Sequence, residues 1–182
     1  MTRFYTQTGD DGYTGLLGEG RAQKYDPRIE TVGVIDEANA ALGLARAFCQ
    51  TPQASSILIV VQRDLYHLMA EIAATPENAA RFRSITGERV SWLETQIDEI
   101  NQAVTVPGEF ITPGDTKAGA VIDLARTVVR RAERQVAFLF HQGKIENREL
   151  LRYMNRLSSL CFILELFENQ ASGNSRPTRA KE

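Results

Sequence analysis

The sequence predicts an all-α chain, a five-helix up-down bundle of the ferritin-like type, on three observations. Apolar residues recur at helical spacing almost everywhere after residue 26. Four of the six prolines follow Asp or Thr: Asp26-Pro27, Thr51-Pro52, Thr75-Pro76 and Thr112-Pro113. Such pairs start helices, because the side-chain oxygen accepts an orphan backbone N–H and Pro has none to lose. Strict apolar–polar alternation never lasts more than a few residues, which argues against a large sheet.

The elements follow in order. Five of the 13 glycines fall between Gly9 and Gly20, so residues 1–25 form a Gly/Thr-rich head. The first helix covers 27–48, with Ile29, Val32, Gly33, Asp36, Ala40, Gly43 and Ala47 on one apolar side. The second covers 52–74 and points Ile57, Val61, Leu65, Leu68, Met69 and Ile72 inward. A short helical turn is expected over 76–83. The third long helix spans 87–103 on Val90, Leu93, Ile97 and Ile100. A loop over 104–112 contains Pro107 and Gly108. Thr112 then reads as an N-cap with Asp115 as the acid three residues on, resembling a capping box, and the fourth helix runs to His141. The fifth spans 148–169, with Leu150, Met154, Leu157, Cys161, Leu164 and Glu168 in register. The polar tail, 172–182, reads as disordered. One domain over 1–171 therefore holds the head (1–25) and the bundle (26–171), joined by short connections.

Composition excludes several functions. The chain has 182 residues and a formal net charge of -2, without the basic excess of a nucleic-acid coat. No apolar run approaches the roughly 18 residues of a membrane span. The N-terminus carries no apolar signal core, which with two helix-borne cysteines, Cys49 and Cys161, points to reduced thiols in a cytoplasmic protein. Two histidines, His67 and His141, are too few for a His-rich metal centre.

Some residues sit where a plain bundle would not need them. Arg126, Arg130 and Arg134 are spaced i, i+4, i+8 on one face of the fourth helix, with Arg131 and Glu133 beside them. Like charges so placed repel. They form either a solvated basic face with acidic partners on neighbouring helices or a cradle for a polyanion, since guanidinium forks bind phosphate bidentately. Asp36 lies on the apolar stripe of the first helix. A buried carboxylate there must be hydrogen-bonded or ion-paired, and the small residues around it would admit another helix. The head, Thr6-Gln7-Thr8-Gly9-Asp10-Asp11-Gly12-Tyr13-Thr14-Gly15, can turn several N–H groups and hydroxyls toward one anion, with Lys24 as a mobile charge. It is neither a Walker A loop nor a GxGxxG fingerprint; a merely flexible arm is the competing reading. Phe110, in the loop before the arginine helix, either caps the core or projects into a ligand site. Asn155 and Arg156 interrupt the apolar run of the last helix.

Taken together, these segments resemble PduO-type ATP:cob(I)alamin (corrinoid) adenosyltransferases. The head resembles T-[RK]-T-G-D-x-G-x-[TS]-G, with Gln7 in place of the basic residue. Val34 to Asn39 resembles a segment ending V-D-E-L-N, with Ala38 for Leu. Phe110-Ile111-Thr112-Pro113-Gly114 is similar to F-[IV]-L-P-G, with Asp115 where a second Gly is common. Ala125 to Arg134 resembles A-R-x-x-x-R-R-A-E-R, and Tyr153 to Ser158 resembles [YF]-L-N-R-L-S. The five occur in order over about residues 5–169.

The resemblance implies a homotrimer with sites between subunits. It implies transfer of the 5′-deoxyadenosyl group of ATP to the cobalt(I) of reduced cobalamin, giving adenosylcobalamin and triphosphate, with Mg²⁺ on the nucleotide. It implies that Thr6, Gln7, Thr8, Gly9, Thr14, Lys24, Arg130, Arg131, Glu133, Arg134 and Asn155 bind ATP. Asp36 and Arg126 then form an intersubunit ion pair, and Phe110 lies under the corrin and helps expel the lower ligand. Arg130, Arg126, Asp36 and Phe110 are the residues expected to carry the reaction. Expected partners are a flavin-dependent reductase and an adenosylcobalamin-dependent mutase or dehydratase. Two alternatives compete: a non-catalytic carrier or regulator that binds nucleotide or adenosylcobalamin, and a plain helical interaction module.

Overall fold

The computed structural model describes residues 5–174 and 176–181. Residues 1–4 of the expected head, and Ser175 and Glu182 of the expected tail, lie outside them. Two short strands, β1 (Tyr13–Gly15) and β2 (Arg21–Gln23), pair antiparallel in the head. The helices are α1 (Pro27–Phe48), α2 (Pro52–Ala73), the four-residue α3 (Pro76–Ala79) running into a 3-10 turn, α4 (Gly87–Asn101), α5 (Lys117–His141) and α6 (Arg148–Ala171). The five long ones are those expected, and α3 is the expected turn.

Their directions alternate along the chain. Arg28, at the start of α1, donates to the Lys144 carbonyl just past α5, at 2.9 Å. The Glu168 carboxylate near the end of α6 accepts the Gln50 and Thr51 N–H groups just past α1, at 2.7 and 3.1 Å. Gln170 donates to the Ala103 carbonyl just past α4, at 3.1 Å. So α1, α4 and α6 run one way, α2 and α5 the other. α1 packs on α2 and α5, and α6 on α5 and α4.

Two of the four expected caps form, and Thr75 precedes α3 without a side-chain cap bond. Asp26 accepts from the Arg28 N–H at 2.8 Å and Thr51 from the Ala54 N–H at 3.2 Å. The start of α5 departs from expectation. Its cap is Thr116, whose Oγ1 accepts the Gly119 N–H at 3.0 Å, and not Thr112. Gly114 takes a positive φ of 121°, which breaks a helical path through Thr112-Pro113. Asp115 is not a capping-box acid; its carboxylate accepts the Thr178 N–H at 3.0 Å and hydroxyl at 2.7 Å. Composition reads the tail as disordered, yet residues 178–180 are tied to the loop before α5. Ile111 and Arg179 form an antiparallel bridge, and the Ala180 N–H donates to the Phe110 carbonyl at 2.9 Å.

The core follows the expected stripes of α2 and α6: Ile57, Val61, Leu65, Leu68 and Ile72 are buried, as are Leu150, Met154, Leu157, Cys161, Leu164 and Glu168. α1 is rotated from expectation. It buries Thr31, Val34, Ile35, Ala38, Leu42 and Ala45, leaving Gly33, Asp36, Ala40 and Ala47 exposed. Both sides of α1 are apolar or small, and the larger branched residues win the core because they bury more area. α5 and α6 approach closely at Gly119, where a Cβ would come within 2.1 Å of Asn169 Oδ1. That oxygen accepts the Thr116 hydroxyl at 2.6 Å, so one asparagine joins the α5 cap to α6.

Candidate functional site

At the α5 N-terminal end a cavity of about 530 Å³ lies between the loop and two helices. Pro107, Phe110, Ile111 and Pro113 come from the loop, Asp123 and Arg126 from α5, Phe162 and Glu165 from α6. Phe110 is 85% exposed. It does not cap the core; its ring stands free while the tail holds its backbone. An adjoining groove of about 380 Å³ takes in Arg126 and Arg130 with Val106, Ser158, Ser159 and Phe162.

The arginine face divides in two. Arg126 Nε donates to Asp123 Oδ1 at 2.7 Å, and Arg131 pairs with Glu37 on α1. These two satisfy the solvated-face reading. Arg130 and Arg134 have no acidic partner among the described residues, and Arg134 donates to the Arg130 carbonyl at 3.0 Å. Glu133 accepts from the Asn155 amide at 2.8 Å, and Asn155 Oδ1 accepts from Arg156 at 2.9 Å. Arg156 in turn pairs with Glu94 of α4 at 2.9 Å. The two polar interruptions of α6 thus lock it to α5 and α4 while keeping Asn155 beside the arginine row.

Asp36 corrects the expectation of a buried acid. It is exposed and forms no ion pair among the described residues. Within one chain Arg126 takes Asp123 instead. Asp36 lies on an outward strip of α1 with Gly33 and Ala40, and Leu44 and Phe48 continue that exposed surface. α5, packed against α1, exposes Leu124 and Phe138.

The head is a built hairpin and not a shapeless arm. Arg21 grips both oxygens of Asp11, at 2.7 and 2.8 Å, and donates to the Thr8 and Tyr13 carbonyls. This guanidinium holds the Asp11 carboxyl below its usual range. Thr6 and Thr8 share a hydroxyl hydrogen bond at 2.8 Å, and Gln7 takes a positive φ of 62°. Gly9 packs so tightly on Lys24 that a Cβ would meet its Nζ at 3.0 Å. Thr14 lies in β1, opposite Ala22. Leu17 docks the hairpin on the bundle, its N–H donating to the Ala73 carbonyl at 3.0 Å.

The head thus joins the end of the bundle where α1 begins, and Phe110 stands at the other end. α5, with 25 residues at 1.5 Å each, spans about 37 Å between them. Arg126, Arg130 and Arg134 step along it from the Phe110 cavity toward the head end. One chain does not bring head and cavity together. The cysteines take no part: burial pushes both thiols up to about 12.

Three features escaped the sequence reading. Asp123 stands three residues before Arg126, and that spacing alone was a usable signal. Glu37 pairs with Arg131, 94 positions away on another helix, and Arg21 with Asp11 across the head hairpin, and no local pattern announces either. Nothing in the pattern of the last helix singles out Glu165, yet it is buried against Asp123.

A family model described as cobalamin adenosyltransferase matches residues 4–168. A corrinoid adenosyltransferase of Bacillus subtilis is 37% identical over 175 residues, covering 94% of this chain and 89% of that protein. Corrinoid adenosyltransferase PduO of Citrobacter freundii is 37% identical over 166 residues, covering 91% of this chain and 49% of that longer protein. A solved structure is similar with a TM-score of 0.88 and 29% identity, covering 98% of this chain and 97% of that one. It is a phenylalanine-to-histidine variant of a PduO-type ATP:corrinoid adenosyltransferase from Lactobacillus reuteri, complexed with cobalamin and ATP.

Proposed function

Because this chain belongs to the cobalamin adenosyltransferase family, we propose how its own residues share out the work. It is an ATP:corrinoid adenosyltransferase that moves the 5′-deoxyadenosyl group of ATP onto the cobalt of reduced cobalamin. The cobalt(I) electron pair forms the cobalt–carbon bond at C5′ of the ribose. The C5′–oxygen bond breaks, and its electrons leave on triphosphate. The nucleophile belongs to the substrate, so the protein needs no Ser, Cys or His for that role.

The protein's contribution is charge, geometry and exclusion of water. Negative charge grows on the leaving triphosphate oxygen, and cations set in advance around it stabilise the transition state. The observation that carries the assignment is the arginine row of α5, which starts at the Phe110 cavity and leaves Arg130 and Arg134 without acidic partners among the described residues. These two, with Lys24 and the hydroxyls and amides of Thr6, Gln7, Thr8, Gly9 and Thr14, take the triphosphate. Arg131, Glu133 and Asn155 order that face. The groups facing phosphate are guanidinium, ammonium, amide and hydroxyl donors, and the one carboxylate among them, Glu133, is engaged by Asn155; the Mg²⁺ arrives on ATP.

Head and cavity lie at opposite ends of one chain, which favours a site completed by another copy. The apolar residues left exposed on α1 and α5 favour the same arrangement, a homotrimer in which Asp36 of one subunit meets Arg126 of the next. Whole cobalamin is larger than the 530 Å³ cavity, so only part of it enters there, against the exposed Phe110 ring. That ring keeps water and the lower base from the cobalt, which lowers the cost of reducing cobalt(II). A flavin-dependent reductase supplies the electron, and the product passes to a mutase or dehydratase in the cytoplasm.

Purified protein with ATP, Mg²⁺ and chemically reduced cobalamin should yield a light-sensitive cobalt–carbon product. Binding of both substrates without that product would return the protein to the carrier reading.

A further inference from the structure

Arg126 is held by one edge only. Its Nε donates to Asp123 Oδ1, and its terminal nitrogens make no hydrogen bond among the described residues. The side chain borders both the Phe110 cavity and the groove that contains Arg130. Behind Asp123 lies a second carboxyl, Glu165 of α6. Asp123 is 7% exposed and Glu165 1%.

Two carboxylates and one guanidinium in a largely apolar wall would leave one net negative charge without a partner. A buried charge of that kind is costly, and a carboxyl in that setting takes up a proton instead. The groups around Glu165 are Asp123 and Arg126 from α5, Asp115 from the loop, and Phe162 and Cys161 from its own helix. α4, packed on the other side of α6, sends Ile97 and Asn101 toward this groove. Among the described residues, Arg126 is therefore the one cation beside two acids. Burial first, and the Asp123 carboxylate second, push Glu165 up to about 7.

We propose that Asp123 and Glu165 are positioning residues for Arg126: Asp123 fixes its Nε edge so that the terminal nitrogens face an incoming anion, and a proton shared by the two carboxyls sets how firmly the arginine is held. With the proton in place, Asp123 carries the single charge that balances Arg126. When it leaves, a second negative charge lies beside the guanidinium, draws it back into its own chain and repels an approaching carboxylate. The incoming anion is Asp36 of a second copy, whose pairing with Arg126 aims the arginine row at the triphosphate, so the inference rests on the transferase reading above.

The test measures kcat and KM for ATP between pH 6 and 8.5, with cobalt(I)alamin formed beforehand, for the unmodified protein, Glu165→Gln and Asp123→Asn. The unmodified protein should lose several-fold in kcat through an inflection near neutrality. Glu165→Gln keeps a donor toward Asp123 but cannot ionise, and should show no such inflection. Asp123→Asn should lower kcat at least tenfold at every pH, with circular dichroism confirming that it is folded. An activity-free readout runs in parallel. Infrared difference spectra between pH 6 and pH 8 should show one protonated-carboxyl band lost in the unmodified protein and absent from Glu165→Gln. An active protein without the inflection, or with an inflection that survives in Glu165→Gln, overturns the inference. The infrared band with no adenosyl transfer would leave the proton sharing standing and sink the transferase reading.

Discussion

Replacing Phe110 by alanine separates packing from chemistry. Phe110 is 85% exposed, so only about a seventh of its surface is covered by the chain. A fully buried phenylalanine hides roughly 150–250 Å²; a seventh of that is about 30 Å². At about 25 cal/mol per Å² the lost burial is about 0.7 kcal/mol, against the roughly 3–5 kcal/mol of a core phenylalanine. For a chain of this size 1 kcal/mol moves the thermal midpoint by about 2–4 °C, so Phe110→Ala should melt within about 3 °C of the parent. Its chemistry should suffer far more. Adenosylation that starts from cob(II)alamin and a mild reductant should fall at least tenfold, about 1.4 kcal/mol on the barrier. The same variant given pre-formed cobalt(I) should lose much less, because the ring acts on the reduction step. Equal losses in the two assays would refute that reasoning. A midpoint lowered by ten degrees or more would show that the ring is a packing residue.

Three further outcomes are expected. Asp36→Asn and Arg126→Ala should each reduce trimer content by sedimentation, and their stability effects should be non-additive by more than about 0.5 kcal/mol; additivity would mean the two never touch in the assembly. ATP with Mg²⁺ should slow limited proteolysis of residues 5–25, which among the described residues have one strand-like anchor to the bundle, Leu17 on Ala74; equal cutting rates would remove the head from the ATP site. Glu165 titrates at about 7 in the folded chain against an ordinary 4.5, so the fold binds its proton more tightly than the unfolded chain does. The stability it contributes is full below about 4.5, falls as pH rises and is gone above about 7, on the order of 3 kcal/mol in all. Thermal melts of Glu165→Gln should therefore decline less than the parent's between pH 4.5 and 8; parallel declines would contradict the assignment.

What the sequence made legible depended on how much competition each signal met. α2 and α6 each have one apolar stripe, and their buried faces read correctly. α1 has two candidate stripes, and the one rich in small residues, expected inward, is the outward surface that carries Asp36. The Asp26 and Thr51 caps stood alone before their helices. Thr112 competed with Thr116 only four residues later, and local signals could not rank them; contact with Asn169 and the positive φ of Gly114 did. For the same reason the arginine row was visible as a row, while its division into partnered Arg126 and Arg131 and unpartnered Arg130 and Arg134 needed the third dimension. The tail escaped altogether, since its bonds to Phe110, Thr112 and Asp115 use mostly backbone groups that any sequence would offer.

The alternating order of the bundle also bears on how the chain is made. α1 packs on α2 and on α5, but α5 is not complete until His141. At about 5–20 residues per second, ribosomal synthesis leaves the finished α1 without its second neighbour for roughly 5 to 20 seconds. Through that interval a growing chain presents the side of α1 that α5 will later cover. A pause in translation after α2 and before α5 is complete would lengthen that exposure, a cost set by the order of the helices and unrelated to cobalt or ATP.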